Sequence, residues 1–220
     1  MSGLSRRAHH IINITWGVGS MSLCVRNSIV FAAMLLLVSG SALGKEYPKT
    51  DSDFRKLPKY CRAKLQPNSS KAGDLKYWNT RLPGIFPHIH HFCAAIHSYQ
   101  HASNMFPSNK SGKQKQKHFL ERVLGNITYL ESHIENKNHR IFAEMYYLKA
   151  KAMAELTQTS SAIVYFEKAI SVNEKYIKAY LSLAKVYIKL EQDEKARVVV
   201  ERGLAVKPKS KSLRRLKNEL

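Results

Sequence analysis

Six side chains between positions 88 and 101 are of the types that ligate metals or move protons: His88, His90, His91, Cys93, His97 and His101. Zinc needs three or four such groups converging tetrahedrally, commonly as two pairs from different segments. Cys61 is the distant candidate, but no second paired motif exists, and no Cys-x-x-Cys-His haem attachment is present. On a helix, His90, His97 and His101 fall near one stripe. Hydrogen-bonded or solvent-facing histidines are the simpler expectation. A periplasmic metal- or haem-handling protein using His88, His90, His91 and Cys93 is the alternative. No nucleophile elbow and no phosphate-cradling Gly-x-x-x-x-Gly-Lys loop occurs. Asp51 and Asp53 suit helix capping better than acid/base work. The expectation is a chain with neither a catalytic site nor a cofactor.

The elements that carry these residues begin after residue 44. Residues 1–20 read as an over-called extension, because Met21 makes a better start. Residues 21–44 have the parts of a secretory signal: Arg26, an apolar core from Ile29 to Val38, and a small-residue exit at Ser39–Gly44. The core is shorter than the roughly 18–20 residues that span a bilayer. Export to the periplasm or outside is expected, with a retained anchor at 29–44 as the alternative. Loss of Cys24 with the signal leaves Cys61 and Cys93. An even count in an oxidising compartment reads as a disulfide, against two buried free thiols.

Residues 45–87 read as a basic, partly irregular module. Thr50, Asp51 or Ser52 caps a helix whose Phe54, Leu57, Cys61 and Leu65 share a face, with Pro58 in its first turn or at a kink. Residues 67–73 and 79–87 read as loops. Residues 88–135 read as a degenerate helical pair: Phe92, Ala95, Ile96 and Tyr99 mark one helix, and 118–135 the other. A polar Lys110–Lys117 connector is expected between them.

The strongest signal lies at 141–208. Tyr146, Ala150, Ala162, Phe166, Glu167 and Ala169 recur 34 residues later as Tyr180, Ala184, Ala196, Val200, Glu201 and Gly203. A fixed period of this length marks stacked helical hairpins. Helices are expected at about 141–156, 160–172, 177–190 and 194–205, and 209–220 is a basic tail. The small residues matter because helix axes about 8–10 Å apart leave no room for large side chains at the crossings.

This pattern resembles the tetratricopeptide repeat, and the His-His-Phe-Cys helix resembles that of exported bacterial proteins of the same kind. The first unit departs from the family pattern with Met153 in place of Tyr and Glu174 in place of Pro. The resemblance implies an all-α short solenoid that binds a protein partner along the first helices of its units. Its groove would present Glu144, Tyr147 and Lys151, then Lys178, Leu181 and Lys185. The family's carboxylate clamp has Asn where this chain has Lys151 and Lys185, so its specific C-terminal-peptide recognition is not implied.

Charge adds a second lead. The formal net charge is +20, and between residues 54 and 120 twelve Lys or Arg face one acid, Asp74. That favours an anionic partner such as an envelope surface, a polymer or an acidic protein. Nucleic acid fits an exported protein poorly, and nothing points to a small-molecule substrate. The reading is an exported, non-enzymatic scaffold.

Overall fold

The computed structural model describes residues 47–66 and 72–220. The expectations for an extension at 1–20 and a signal or anchor within 21–44 lie outside the described residues. Within them the chain is all-α, with ten α-helices, and none is long and apolar enough to cross a membrane.

The N-terminal helices follow from two residues. Thr50 and Asp53 form a reciprocal capping box that starts α1 (Asp51–Arg55). Pro58 then divides what the apolar spacing suggested as one helix. It has no N–H to donate and disfavours helical geometry in the residue before it. It stands instead as the N-cap of α2 (Lys59–Leu65). Phe54, Leu57 and Cys61 are buried all the same. Helix α3 (Ala72–Arg81) occupies part of what reads as loop, and sets Trp78 edge-on to Tyr60, ring centroids 5.6 Å apart.

Helix α4 (Ile89–Ser103) pairs with α5 (Lys110–His133) as an antiparallel hairpin. The expected lysine-rich connector is instead the first two turns of α5. Asn109 caps them by accepting a bond from the Gly112 N–H at 2.8 Å. A Cβ at Gly112 would come within 2.9 Å of the Pro107 Cβ, so the tight entry needs glycine there. A disulfide joins Cys61 of α2 to Cys93 of α4, with Cα atoms 5.6 Å apart. It fixes the N-terminal helices to this hairpin.

Two further hairpins follow: α6 (Ile141–Glu155) with α7 (Thr159–Val172), and α8 (Ile177–Lys189) with α9 (Asp193–Val206). Tyr146, Ala150, Ala162, Phe166 and Ala169 are buried, as are Tyr180, Ala184, Ala196, Val200 and Gly203. The period also appears in the backbone. Thr157 and Glu191 sit 34 positions apart at φ 61° and 57°. Each closes the first helix of its hairpin, and the following N–H donates to a carbonyl five residues back. These are Gln158 to Met153 and Gln192 to Tyr187, both at 2.9 Å.

The last hairpin is covered by α10 (Lys211–Glu219), entered through Ser210, whose side chain accepts from the Leu213 N–H. Leu213 and Leu216 are its buried residues, and Leu213 packs where Gly203 leaves room. A Cβ on Gly203 would approach Leu213 Cδ1 to 2.8 Å, which is why this repeat has glycine where the previous one has Ala169. Between α5, α6 and α7 lies one buried polar knot. Lys149 pairs with Glu131 and donates to Thr128 and Tyr165, each at 2.9 Å. The whole is a short solenoid of tetratricopeptide-like hairpins.

Candidate functional site

The first helices of the two repeats, α6 and α8, lie side by side and leave a groove between them. A cavity of about 570 Å³ occupies it. From α6 it takes Tyr147 and Lys151, and from α8 Lys178, Leu181 and Lys185. These five fall at helical spacings of three and four, so each helix delivers one stripe to the groove. Glu144 is placed elsewhere. It is exposed one turn earlier on α6 and lines a smaller cavity beside Tyr60 and Arg140.

Sequence reasoning missed several residues of the lining. Phe166 of α7 forms part of the floor, and its ring meets Tyr147 at 5.9 Å. Lys189 and Val186 extend the α8 stripe, and simple continuation of the period from Lys185 would have found Lys189. Glu155 closes the end of α6 and is held from outside the repeats, because the Tyr99 hydroxyl of α4 donates to it. The Lys151 ammonium lies over the Tyr99 ring, 4.9 Å from its centroid. Burial, then the bond to Glu155, raises the Tyr99 phenol far above its usual range, so it stays a proton donor. Helix α4 therefore supports the groove wall.

Four lysines (Lys151, Lys178, Lys185 and Lys189) thus face one carboxylate, Glu155, around an apolar strip of Tyr147, Phe166, Leu181 and Val186. The groove thus sets a cationic rim over an apolar floor.

The histidines separate into two sets. His91 and His133 sandwich the Tyr129 ring, with centroids 3.7 and 3.8 Å away. His91 Nδ1 pairs with Asn126 Oδ1 at 2.9 Å, and His88 Nδ1 lies 3.4 Å from the Tyr129 hydroxyl. His90 packs beside His91. On the next turns His97 and His101 meet through their Nε2 atoms at 3.2 Å, and His97 Nε2 lies 3.7 Å from Asp53 Oδ1. The stripe that His90 was expected to share with His97 and His101 is divided between these two sets. Burial, then neighbouring histidines, lowers the pKa of His88, His90 and His97. Cys93 is committed to Cys61. Among the described residues, no group of three or more His, Cys, Asp or Glu side chains is placed to hold a metal ion.

Comparison with known proteins places this geometry among its likenesses. Residues 129–220 match the family model described as "Regulator of microtubule dynamics protein 1-3". No match is found among curated protein sequences. Among solved structures, the first TPR of Spaghetti (RPAP3) bound to the HSP90 peptide SRMEEVD is similar at 16% identity and a TM-score of 0.40. That match covers 57% of this chain and 90% of the other. MamA is similar at 19% identity and a TM-score of 0.38, over 68% of this chain and 88% of the other. What this chain has in its own right is the tetratricopeptide-like hairpin, repeated at 34 residues in sequence, burial and backbone.

Proposed function

We propose that this protein is a non-enzymatic scaffold that holds an extended protein segment in the α6–α8 groove. The observation that carries the reading is the convergence of Tyr147, Lys151, Lys178, Leu181 and Lys185 on one cavity. Lysines favour carboxylates on the partner, and the Tyr147–Leu181 strip favours an apolar side chain between them. Export is part of the reading. It is supported by the Cys61–Cys93 bridge, since disulfides persist in oxidising compartments, and by the apolar run at 29–38 with its small-residue exit.

The test is selection of peptides on the full chain from a random displayed library, followed by affinity measurement. Selected peptides are expected to carry Asp or Glu flanking an apolar residue. Lys151→Glu/Lys185→Glu is expected to weaken them at least tenfold. Peptides that bind this double variant equally well would place recognition outside the groove. A mass that retains residues 21–44 in the exporting host, with free Cys61 and Cys93, would remove the export part alone.

A further inference from the structure

Where α2, α3 and the start of α6 meet, a separate cavity of about 270 Å³ opens. Part of its wall is apolar: Leu82 and Ile141 are buried and Trp78 is half-buried. Apart from the Glu144 carboxylate, its polar groups offer donors. Arg81 and Arg140 bring two guanidinium groups. His139 Nδ1 accepts the Ile141 N–H at 3.3 Å, so a neutral ring carries its proton on Nε2 and is a donor there. Tyr60 is 7% exposed, and its buried hydroxyl makes no hydrogen bond with the protein. Tyr60 lines the cavity together with Glu144, Arg140 and His139.

A buried hydroxyl without a partner is costly, and native interiors leave few of them. Here it borders a cavity lined by donors and one carboxylate, Glu144. The single acid, Glu144, is offset first by Lys178 of α8 and then by Arg140, so the two arginines leave a positive excess that a negative charge would reduce.

We propose that this cavity binds a small monocarboxylate with an apolar body. The carboxylate accepts from the Tyr60 hydroxyl and an arginine, and the apolar part rests on Trp78, Leu82 and Ile141. Phosphate brings a second charge against Glu144 and nothing to fill the apolar wall, and an amine finds too many donors. The volume lies just under the roughly 300–1,000 Å³ of drug-sized sites, which limits the ligand to a few functional groups. The site does not rest on the reading given to the α6–α8 groove, although Lys178 of that groove is the strongest charge acting on Glu144.

The sequence has two tryptophans, so Trp16→Phe in the full chain leaves Trp78 as the sole indole reporter. Phenylacetate, inorganic phosphate and phenethylamine are titrated against its fluorescence. A saturable change with phenylacetate alone is expected. Tyr60→Phe is expected to weaken it about tenfold, the scale of one charge-assisted hydrogen bond. The same variant without ligand is expected to be at least as heat-stable as its parent, because an unpaired hydroxyl has been removed. Lys185→Glu in the groove is expected to leave the affinity unchanged. A response that does not saturate, equal binding of phosphate, or unchanged affinity in Tyr60→Phe overturns the proposal. Loss of the response in Lys185→Glu would assign the binding to the groove and overturn it as well.

Discussion

Replacing Lys149 tests whether the stack depends on the buried Lys149–Glu131 ion pair. The Lys149 and Glu131 side chains are 6% and 17% exposed, and Lys149 also bonds Thr128 and Tyr165. It thereby ties α6 to α5 and to α7. Lys149→Met keeps the volume and removes the charge, which leaves Glu131 facing Tyr165 alone. Stranding one partner of a buried pair costs about 3–5 kcal/mol. Glu131 keeps some contact with water, so the lower figure applies, about 3 kcal/mol. At roughly 2–4 °C per kcal/mol for a chain of this size, the midpoint should fall by about 6–12 °C. Thermal and urea denaturation of the full chain at pH 7, followed by circular dichroism, reads this directly. Lys149→Met/Glu131→Leu removes both charges and should recover at least half of the loss, since apolar replacement of a whole pair is often near neutral. A single variant that loses less than about 1 kcal/mol, or a double variant that loses more than the single, would refute the reasoning.

Other expectations are equally direct. Gly203→Ala gains about 1 kcal/mol of helix propensity. It also drives a Cβ to 2.8 Å from Leu213 Cδ1, and overpacking costs about 1–3 kcal/mol, so a net loss with exposure of α10 to hydrogen exchange is expected. Thr157→Gly relieves a β-branched residue at φ 61° and should stabilise by about 0.5–1 kcal/mol, read by urea midpoint. Reduction of Cys61–Cys93, or Cys61→Ser/Cys93→Ser, should cost about 2–4 kcal/mol, most visibly as faster proteolysis near α2. The lowered pKa values of His88, His90 and His97 mean that the folded state binds fewer protons than the unfolded one. Their contribution is complete above about pH 6.5 and is lost as pH falls through their folded values. Denaturation midpoints should therefore decline from pH 7 to pH 5, and His97→Gln should flatten that slope. Asp53 extends the same trend to lower pH. Its carboxylate accepts the Thr50 and Lys49 backbone N–H groups, which holds its pKa far below the usual range. Its contribution is present above about pH 4 and is lost on further acidification.

The sequence alone carried the repeat. A 34-residue period with Ala at the helix crossings can be satisfied only by hairpins stacked at close range, so Tyr146, Ala150 and Phe166 could be placed in the core beside Tyr180, Ala184 and Val200. The resemblance to the tetratricopeptide repeat put Glu144, Tyr147, Lys151, Lys178, Leu181 and Lys185 on one face; all but Glu144 line one cavity, and Glu144 lines another. Local signals without a period were less decisive. Lys110–Lys117 is polar enough for a linker, and it became helix because Asn109 caps it and Gly112 clears Pro107. Tertiary packing alone brought Tyr99 of α4 to Glu155, set Tyr60 against Arg140 and Glu144, and divided the histidines into two sets. Those partners lie between 38 and 84 residues apart in sequence (apart from the histidines of one helix), and no local pattern encodes such contacts. Periodicity fixes which face a residue occupies, whereas the neighbour across that face is chosen only when whole helices pack.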